Sequence, residues 1–258
     1  MIEYAGFLLL GIAAGILSGL FGIGGGIVMV PSLIVLFGMD ILDANATSLA
    51  AMLLPVGALG VWAYYKAGMI NVKDSLWISL GLFIGSFAGG EFAVSISQGL
   101  LSKLYAGILL YVALSYFDVF SYFKKNKKPK VLKPVPDHFP FWSFVLVGLA
   151  AGIFAGLFGK GGGLVIVPAL IGIFRYDAKA AAATSLAAMQ LPVGLPSVMI
   201  YAQSGHLNIQ NAAFIALGIL LGVLVGSKLG VKLPSAVFKR MYAVFLLVVA
   251  VYMVYKYI

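Results

Sequence analysis

Long apolar stretches, separated by short polar segments, follow one another through almost the whole chain. They lie at residues 4–38, 44–66, 75–98, 102–122, 141–174, 179–203, 211–230 and 236–255. They lack the strand-like alternation of polar and apolar residues that a membrane β-barrel shows. Helices are the other structure that satisfies every backbone N–H and C=O group inside hydrocarbon. The pattern therefore predicts an all-α integral membrane protein.

Composition and charge agree with this prediction. The chain has 258 residues, of which 62% are hydrophobic and 10% are charged, and its mean hydropathy is +1.09. A soluble domain is about half apolar and a quarter charged. The net charge is +9, but six of the seventeen basic residues lie between Lys124 and Lys133 and most others flank apolar stretches. This distribution is typical of a membrane surface and does not indicate a nucleic-acid partner.

The two halves of the chain repeat one another. A shift of 137 residues, without a gap, aligns GIAAGILSGLFGIGGGIVMVPSLI from Gly11 with GLAAGIFAGLFGKGGGLVIVPALI from Gly148. The same shift aligns two ATSLAAM segments, and 35 of the 61 positions between Gly11 and Asn71 are identical. The chain is therefore an internal duplication. Membrane repeat 1 covers 1–122, a basic cytoplasmic linker with the KKNKKPK run covers 123–139, and membrane repeat 2 covers 140–258.

The basic residues predict that the second repeat is inverted. If every apolar stretch crossed the membrane once, about nine Lys and Arg would face the cytoplasm and about seven would face out. If the first stretch of each half enters and returns to the same side, fourteen lie inside and two, Lys103 and Lys256, lie outside, as the positive-inside rule favours. Each half then has about five membrane segments. Since five is odd, the repeats have inverted topology and both termini lie outside.

Glycine clusters account for the return of each first stretch. A stretch of about 34 residues would be about 50 Å long as one helix, against a hydrocarbon core of about 30 Å. Consecutive glycines in a helix interior cost roughly 1 kcal/mol each, so we expect a helical hairpin with two arms of about 16 residues. The clusters are Gly22, Gly24, Gly25 and Gly26 in the first half and Gly159, Gly161, Gly162 and Gly163 in the second.

Broken helices at matching positions of inverted repeats are typical of a transporter's substrate site. Free N–H groups at the start of each second arm carry partial positive charge and bind anions. The alternative is that these glycines only permit tight packing. That alternative is favoured for the glycines that recur every four residues on single helix faces. They are Gly11, Gly15 and Gly19; Gly81, Gly85 and Gly89; Gly148, Gly152 and Gly156; and Gly218, Gly222, Gly226 and Gly230.

Lys160 lies inside the second glycine cluster, where the first copy has Ile23. A lysine at membrane depth costs roughly 2.5–3.5 kcal/mol on insertion scales. A cation at this position favours an anionic substrate. The alternative is a shallow break from which Lys160 snorkels to the interface.

Polar side chains follow both glycine clusters. Hydroxyl and amide groups there can donate hydrogen bonds to an oxyanion, or they can bond back to their own helix. Pro55 and Pro192 are expected to kink or unwind the same helices. Gln190 replaces the Leu53 of the first copy. The candidate substrate-binding side chains are Asn45, Thr47, Ser48, Thr184, Ser185 and Gln190.

The remaining ionisable residues do not indicate catalysis. Glu91 and Lys228 occupy equivalent positions late in their helices, where interfacial charge is the favoured reading and proton coupling by Glu91 is the alternative. His138 lies in the linker and His206 in a short connection. With no cysteine, the sequence predicts neither a metal site nor a cofactor.

The pattern GILSGLFGIGGGIVMVP, followed by NATSLAAM, resembles the sulfite exporter (TauE/SafE) family of membrane transporters. The second copy, GIFAGLFGKGGGLVIVP with ATSLAAM, carries the same signature. The resemblance covers essentially the whole chain. It implies export, or in some members uptake, of small sulfur-containing anions such as sulfite, sulfoacetate or thiosulfate.

The sequence therefore predicts a multi-pass secondary transporter of the cell (inner) membrane that works by alternating access. Its partners would be a small sulfur-containing anion and membrane lipid, and homo-oligomerisation stays open. A passive anion channel with the same electropositive midplane is the alternative. An enzyme would need a nucleophile–base pair or metal ligands inside the membrane, and the sequence has neither.

Overall fold

The computed structural model describes residues 2–22, 24–53, 55, 57–105, 107, 139–159, 162–233, 237, 241 and 244. The described regular elements are all helical, which confirms the all-α class for this part of the chain. The first half contains α1 (Ile2–Phe21), α2 (Gly26–Leu36), α3 (Ile41–Ala51), α4 (Ala58–Lys66) and α5 (Val72–Ser95). The second half contains α6 (Phe141–Phe158), α7 (Gly163–Gly172), α8 (Ala178–Ala188), α9 (Leu195–Gln203) and α10 (Ile209–Lys232). Residues 98–105 are also helical.

Four helices in the described ranges are long and apolar enough to cross a membrane: α1, α5, α6 and α10. With 24 residues each, α5 and α10 are about 36 Å long, slightly more than a hydrocarbon core of about 30 Å. The predicted division into 1–122, 123–139 and 140–258 stays a prediction, because almost all of the linker lies outside the described residues.

The first stretch of each half doubles back, as predicted. The second arm returns towards the start of the first, since the rings of Phe7 and Phe37 stack with their centroids 4.2 Å apart. The equivalent rings of Phe144 and Phe174 stack at 4.4 Å. The arms are unequal, with 20 and 11 residues in the first half and 18 and 10 in the second. The expectation of two arms of about 16 residues was wrong, because the glycine cluster follows a first arm of full spanning length.

The stretches around Pro55 and Pro192 are interrupted rather than merely kinked. The first half has a gap between the end of α3 and the start of α4, and the second half has a gap between α8 and α9. Each proline lies in its gap, where a missing N–H and a fixed φ prevent the helix from continuing. Short turn bonds close the ends, such as Met52 N to the Leu49 carbonyl at 3.1 Å.

Two pairs of spanning helices pack face to face through glycine. In the pair of α5 and α6, a Cβ atom at Gly85 would lie 2.2 Å from the Leu149 carbonyl oxygen. In the pair of α1 and α10, a Cβ atom at Gly222 would lie 2.2 Å from the Ile12 carbonyl oxygen. These contacts confirm the packing role predicted for the four-residue glycine periodicity. Equivalent faces exchange partners, since Gly11 approaches Gly218 and Gly148 approaches Gly81.

Candidate functional site

The first glycine break is a buried, non-helical turn. Gly22, Gly24 and Gly25 have φ angles of 66°, 76° and 73°, in the left-handed region that glycine enters without steric cost. Gly26 begins α2 and is buried. A Cβ atom at Gly22 would lie 2.1 Å from the Ala182 carbonyl oxygen, so the turn rests directly on the backbone of α8.

The second break rests on α3 in the equivalent way. Gly159 has φ 65°, and a Cβ atom there would lie 2.4 Å from the Cα atom of Asn45. Gly162 precedes α7, and Gly163 is its buried first residue. Lys160 and Gly161 lie outside the described residues. The predicted ammonium group therefore stays a prediction.

The two ATS motifs lie at the two breaks but differ in their hydrogen bonds. Ser185 donates to the Gly22 carbonyl at 2.8 Å, and Thr184 Oγ1 accepts from the Asn71 backbone N–H at 3.2 Å. Among the described residues, Thr47 Oγ1 and Ser48 Oγ have no hydrogen-bond partner. Their side chains are 1% and 0% exposed. An unsatisfied buried polar group costs about 1–3 kcal/mol, so the first copy retains unused hydrogen-bonding capacity.

Asn45 has only half of its amide engaged. Its Nδ2 donates to the Leu157 carbonyl in the last turn of α6 at 2.9 Å. Its Oδ1 is buried and has no partner among the described residues. Asn45 and Ser48 are three positions apart in α3 and so share one helix face. Asn45 lies against Gly159 on that face, which places both groups towards the second break.

A cavity of about 40 Å³ lies between the two halves. At roughly 10–15 Å³ per water, it has room for on the order of three waters. Most of its wall consists of equivalent residues from the two copies, related by the shift of 137 residues. These pairs are Ser18 and Ala155, Leu49 and Leu186, Met52 and Met189, Gly57 and Gly194, and Leu82 and Ile219; Gly24, Gln190 and Val193 complete the wall.

The described lining is mostly apolar and carries no charged side chain. Its polar side chains are those of Ser18 and Gln190. The Gln190 Nε2 donates to the Leu186 carbonyl at 2.8 Å, and its Oε1 is buried without a partner among the described residues. The cavity therefore offers a small guest a few neutral polar groups inside an apolar wall.

The structure brings only part of the predicted site to this cavity. Of the predicted residues that it describes, Gly24 and Gln190 line the cavity, whereas the four ATS hydroxyls do not. Met52, Met189, Gly57 and Gly194 were missed as lining residues. Their signal was present in the sequence, because the ATSLAAM and PVG segments recur in both copies.

The other ionisable candidates lie elsewhere. Glu91 is exposed near the end of α5 and does not line the cavity. His206 Nδ1 lies 2.6 Å from an Asp43 carboxylate oxygen, which joins the connection before α10 to the start of α3. Within the described ranges, no three His, Asp or Glu side chains form a group that could hold a metal ion.

These helices and their buried cavity define an all-helical membrane protein with two related halves. The family model for "Sulfite exporter TauE/SafE" matches residues 7–253, and the chain belongs to this family. Proteins named as probable membrane transporters are similar to it. One from Haemophilus influenzae is 30% identical over 96% of this chain and 97% of its own length. One from Methanocaldococcus jannaschii is 29% identical over 82% and 78%, and one from Bacillus subtilis is 30% identical over 77% and 78%. No solved structure matches the chain. The chain is thus a membrane transporter and not an enzyme.

Proposed function

We propose that this protein is a secondary transporter that moves small sulfur-containing anions, of the sulfite, sulfoacetate and thiosulfate class, across the cell membrane by alternating access. The observation that carries the proposal is the cavity between the halves. Equivalent residues of both copies form its wall, and Gly24 and Gly57 connect it to a glycine break and a proline break. A site shared by two repeats can open to either side when one repeat moves against the other.

Inverted repeats are part of this proposal, and the contacts of α5 and α10 support them. α5 begins shortly after α4 ends, and Tyr64 near the end of α4 approaches Gly230 near the end of α10. α10 begins shortly after α9 ends, and Ser197 in α9 approaches Gly90 near the end of α5. The start of each helix thus lies beside the end of the other. Equivalent helices that run antiparallel are what an inverted duplication requires.

The distribution of charge supports a cytoplasmic location for the end of the bundle where α5 begins and α10 finishes. Lys179 Nζ donates to the Val231 carbonyl there at 2.9 Å. At the opposite end, Lys103 borders a surface groove with Asp40 at the start of α3. The positive-inside rule then places the start of α1 outside the cell. The basic residues at the proposed cytoplasmic end are Lys66, Lys73, Arg175, Lys179, Lys228 and Lys232.

The proposed anion site combines helix ends and polar side chains. The free N–H groups at the starts of α2 and α7 supply partial positive charge, and Lys160 supplies a full charge. Asn45, Ser48 and Gln190 supply hydrogen-bonding groups that have unused capacity. Thr47 lies on a different face of α3 from Ser48. Among the ATS hydroxyls, Ser48 is therefore the best placed at the second break.

Transport by purified protein in proteoliposomes tests the proposal. Labelled sulfite should accumulate transiently when the vesicles are preloaded with unlabelled sulfite, because a carrier exchanges substrate at one alternating site. Lys160→Ala should abolish this counterflow while purified protein of normal yield and thermal stability is retained. Absence of sulfite, sulfoacetate and thiosulfate transport would refute the substrate class, and normal counterflow by Lys160→Ala would refute the role of Lys160.

A passive anion channel is the alternative that the same experiment separates. A channel would give large single-channel currents and no counterflow. Proton coupling by Glu91 is a further prediction, although its exposed position on α5 keeps it away from the cavity wall. Glu91→Gln should abolish the dependence of uptake on an imposed proton gradient if Glu91 carries the proton, and should leave that dependence unchanged if it does not.

A further inference from the structure

The amide of Gln190 has a fixed orientation at the cavity wall. α8 ends at Ala188, so the Leu186 carbonyl in its last turn lacks the usual partner four residues later. The Gln190 side chain replaces that partner, with Nε2 at 2.8 Å. Since a carbonyl oxygen only accepts hydrogen bonds, the amide nitrogen must face Leu186 and a flipped amide is excluded.

This orientation leaves a buried acceptor. The Oε1 atom of Gln190 has no partner among the described residues. Gly57 lies against the amide, where a Cβ atom would be 2.4 Å from Nε2 and 3.0 Å from Oε1. This glycine brings no donor of its own side chain, and a larger residue would displace the amide. The position equivalent to Gln190 in the first half is Leu53, so the acceptor is present on one side of the cavity only.

We infer that Gln190 makes the transporter selective for monoanions that carry an N–H or O–H donor. This inference deepens the proposed function and rests on it. A guest with an oxygen and a donor side by side accepts from the second hydrogen of Nε2 and donates to Oε1. A guest with oxygens alone leaves Oε1 desolvated and unpaired. Sites built to bond a substrate N–H or O–H discriminate strongly against analogues that lack it.

The neutral lining favours the same class of ligand. The described wall has no charged side chain, and two negative charges are harder to bring into an apolar wall than one. Hydrogen sulfite combines one negative charge with one ionisable hydrogen. We therefore assign hydrogen sulfite, rather than the sulfite dianion, as the species that fits this cavity.

Two probes of nearly equal size and equal charge isolate the effect of the donor. Sulfamate carries an NH2 group where methanesulfonate carries a methyl group. Calorimetry on the purified full chain in lipid nanodiscs measures both dissociation constants. Sulfamate should bind at least about tenfold more tightly than methanesulfonate. Gln190→Leu should remove this preference by weakening sulfamate binding alone, and Leu53→Gln, at the equivalent position, should retain it.

Three outcomes overturn the inference. Equal binding of the two probes by the native protein refutes it, and the proposed function stands if sulfite is still transported. A preference that survives in both Gln190→Leu and Gln190→Met refutes the role of this residue. Failure of sulfite, sulfamate and methanesulfonate to bind, together with failure of sulfite transport, refutes the inference and the proposed function together. The native comparison needs no variant, so a poorly folding Gln190→Leu protein leaves the test intact.

Discussion

Two equivalent serines differ in their hydrogen bonds, and this difference makes a matched pair of substitutions informative. Ser185 donates to the Gly22 carbonyl at 2.8 Å, whereas Ser48 has no partner among the described residues. Ser185→Ala should lower the free energy of unfolding by about 1–3 kcal/mol, because the Gly22 carbonyl then stays buried and unpaired. Ser48→Ala loses no such bond and should be neutral or slightly stabilising. Thermal unfolding of the two purified variants in the same detergent measures both effects.

The same pair separates a structural serine from a substrate-binding serine. If Ser48 contacts the anion, Ser48→Ala lowers sulfite transport while its thermal stability is unchanged. A Ser48→Ala protein with normal transport contradicts the site at the second break. A Ser48→Ala protein that is as unstable as Ser185→Ala contradicts the difference in hydrogen bonding itself.

The sequence could not have predicted which serine is free. Both copies read ATSLAAM, so the motif is identical and only the tertiary surroundings differ. Ser185 has a partner because the left-handed turn at Gly22 presents its carbonyl to α8. The hydroxyls as a class were predictable, since they recur beside both glycine clusters. Their division between packing and free capacity depends on contacts about 160 residues apart in sequence.

Among the elements, the face-to-face packing of α5 and α6 depends on the absence of side chains. A Cβ atom at Gly85 would lie 2.2 Å from the Leu149 carbonyl oxygen, whereas one at Gly172 in α7 would meet nothing within 4 Å. Gly85→Ala should force the helices apart and destabilise the protein by about 1–3 kcal/mol. Gly172→Ala is the control and should be neutral or slightly stabilising, since alanine favours helix more than glycine. Equal melting temperatures for the two variants would contradict close packing at Gly85.

The helices were more predictable from the sequence than their exact lengths. Four-residue glycine spacing predicted helix contacts, and runs of glycine predicted a break, because both depend on local backbone properties. The arms of 20 and 11 residues were not predicted, since α1 extends along α10 through Gly11, Gly15 and Gly19. Length here depends on a partner helix from the other half. The complete gaps around Pro55 and Pro192 likewise exceed what one proline requires.

At the scale of the whole molecule, each end of the bundle has a polar contact between the two halves. At one end His206 contacts Asp43 at 2.6 Å. At the other end the Tyr176 hydroxyl donates to the Asp74 carboxylate, and the Asn71 amide donates to the same carboxylate at 2.6 Å. Burial and the neighbouring Asp74 raise the pKa of Tyr176, so its hydroxyl stays protonated and remains a donor. These contacts give each proposed membrane side its own connection between repeats.

Alternating access predicts that both connections must separate during one transport cycle. The chain contains no cysteine, so a pair of introduced cysteines can be linked by a short bifunctional thiol reagent without side reactions. Linking Asp43→Cys to His206→Cys should stop counterflow, and linking Asp74→Cys to Tyr176→Cys should stop it as well, because each link prevents opening at one side. The uncrosslinked double variants and recovery with a cleavable reagent are the controls.

The two links also distinguish the directions of access. With the Asp43–His206 end linked, the cavity should open only towards the end that carries Lys66 and Lys179. A cysteine at Gly57 would crowd the Gln190 amide, so Met52→Cys is the better cavity reporter. It should react with a membrane-impermeant thiol reagent from one side only, and from the opposite side when the Asp74–Tyr176 end is linked. The linked positions are blocked before the reporter is labelled. Reaction from the same side in both cases, or full counterflow with either end linked, would contradict a carrier in which the two halves alternate around a shared cavity.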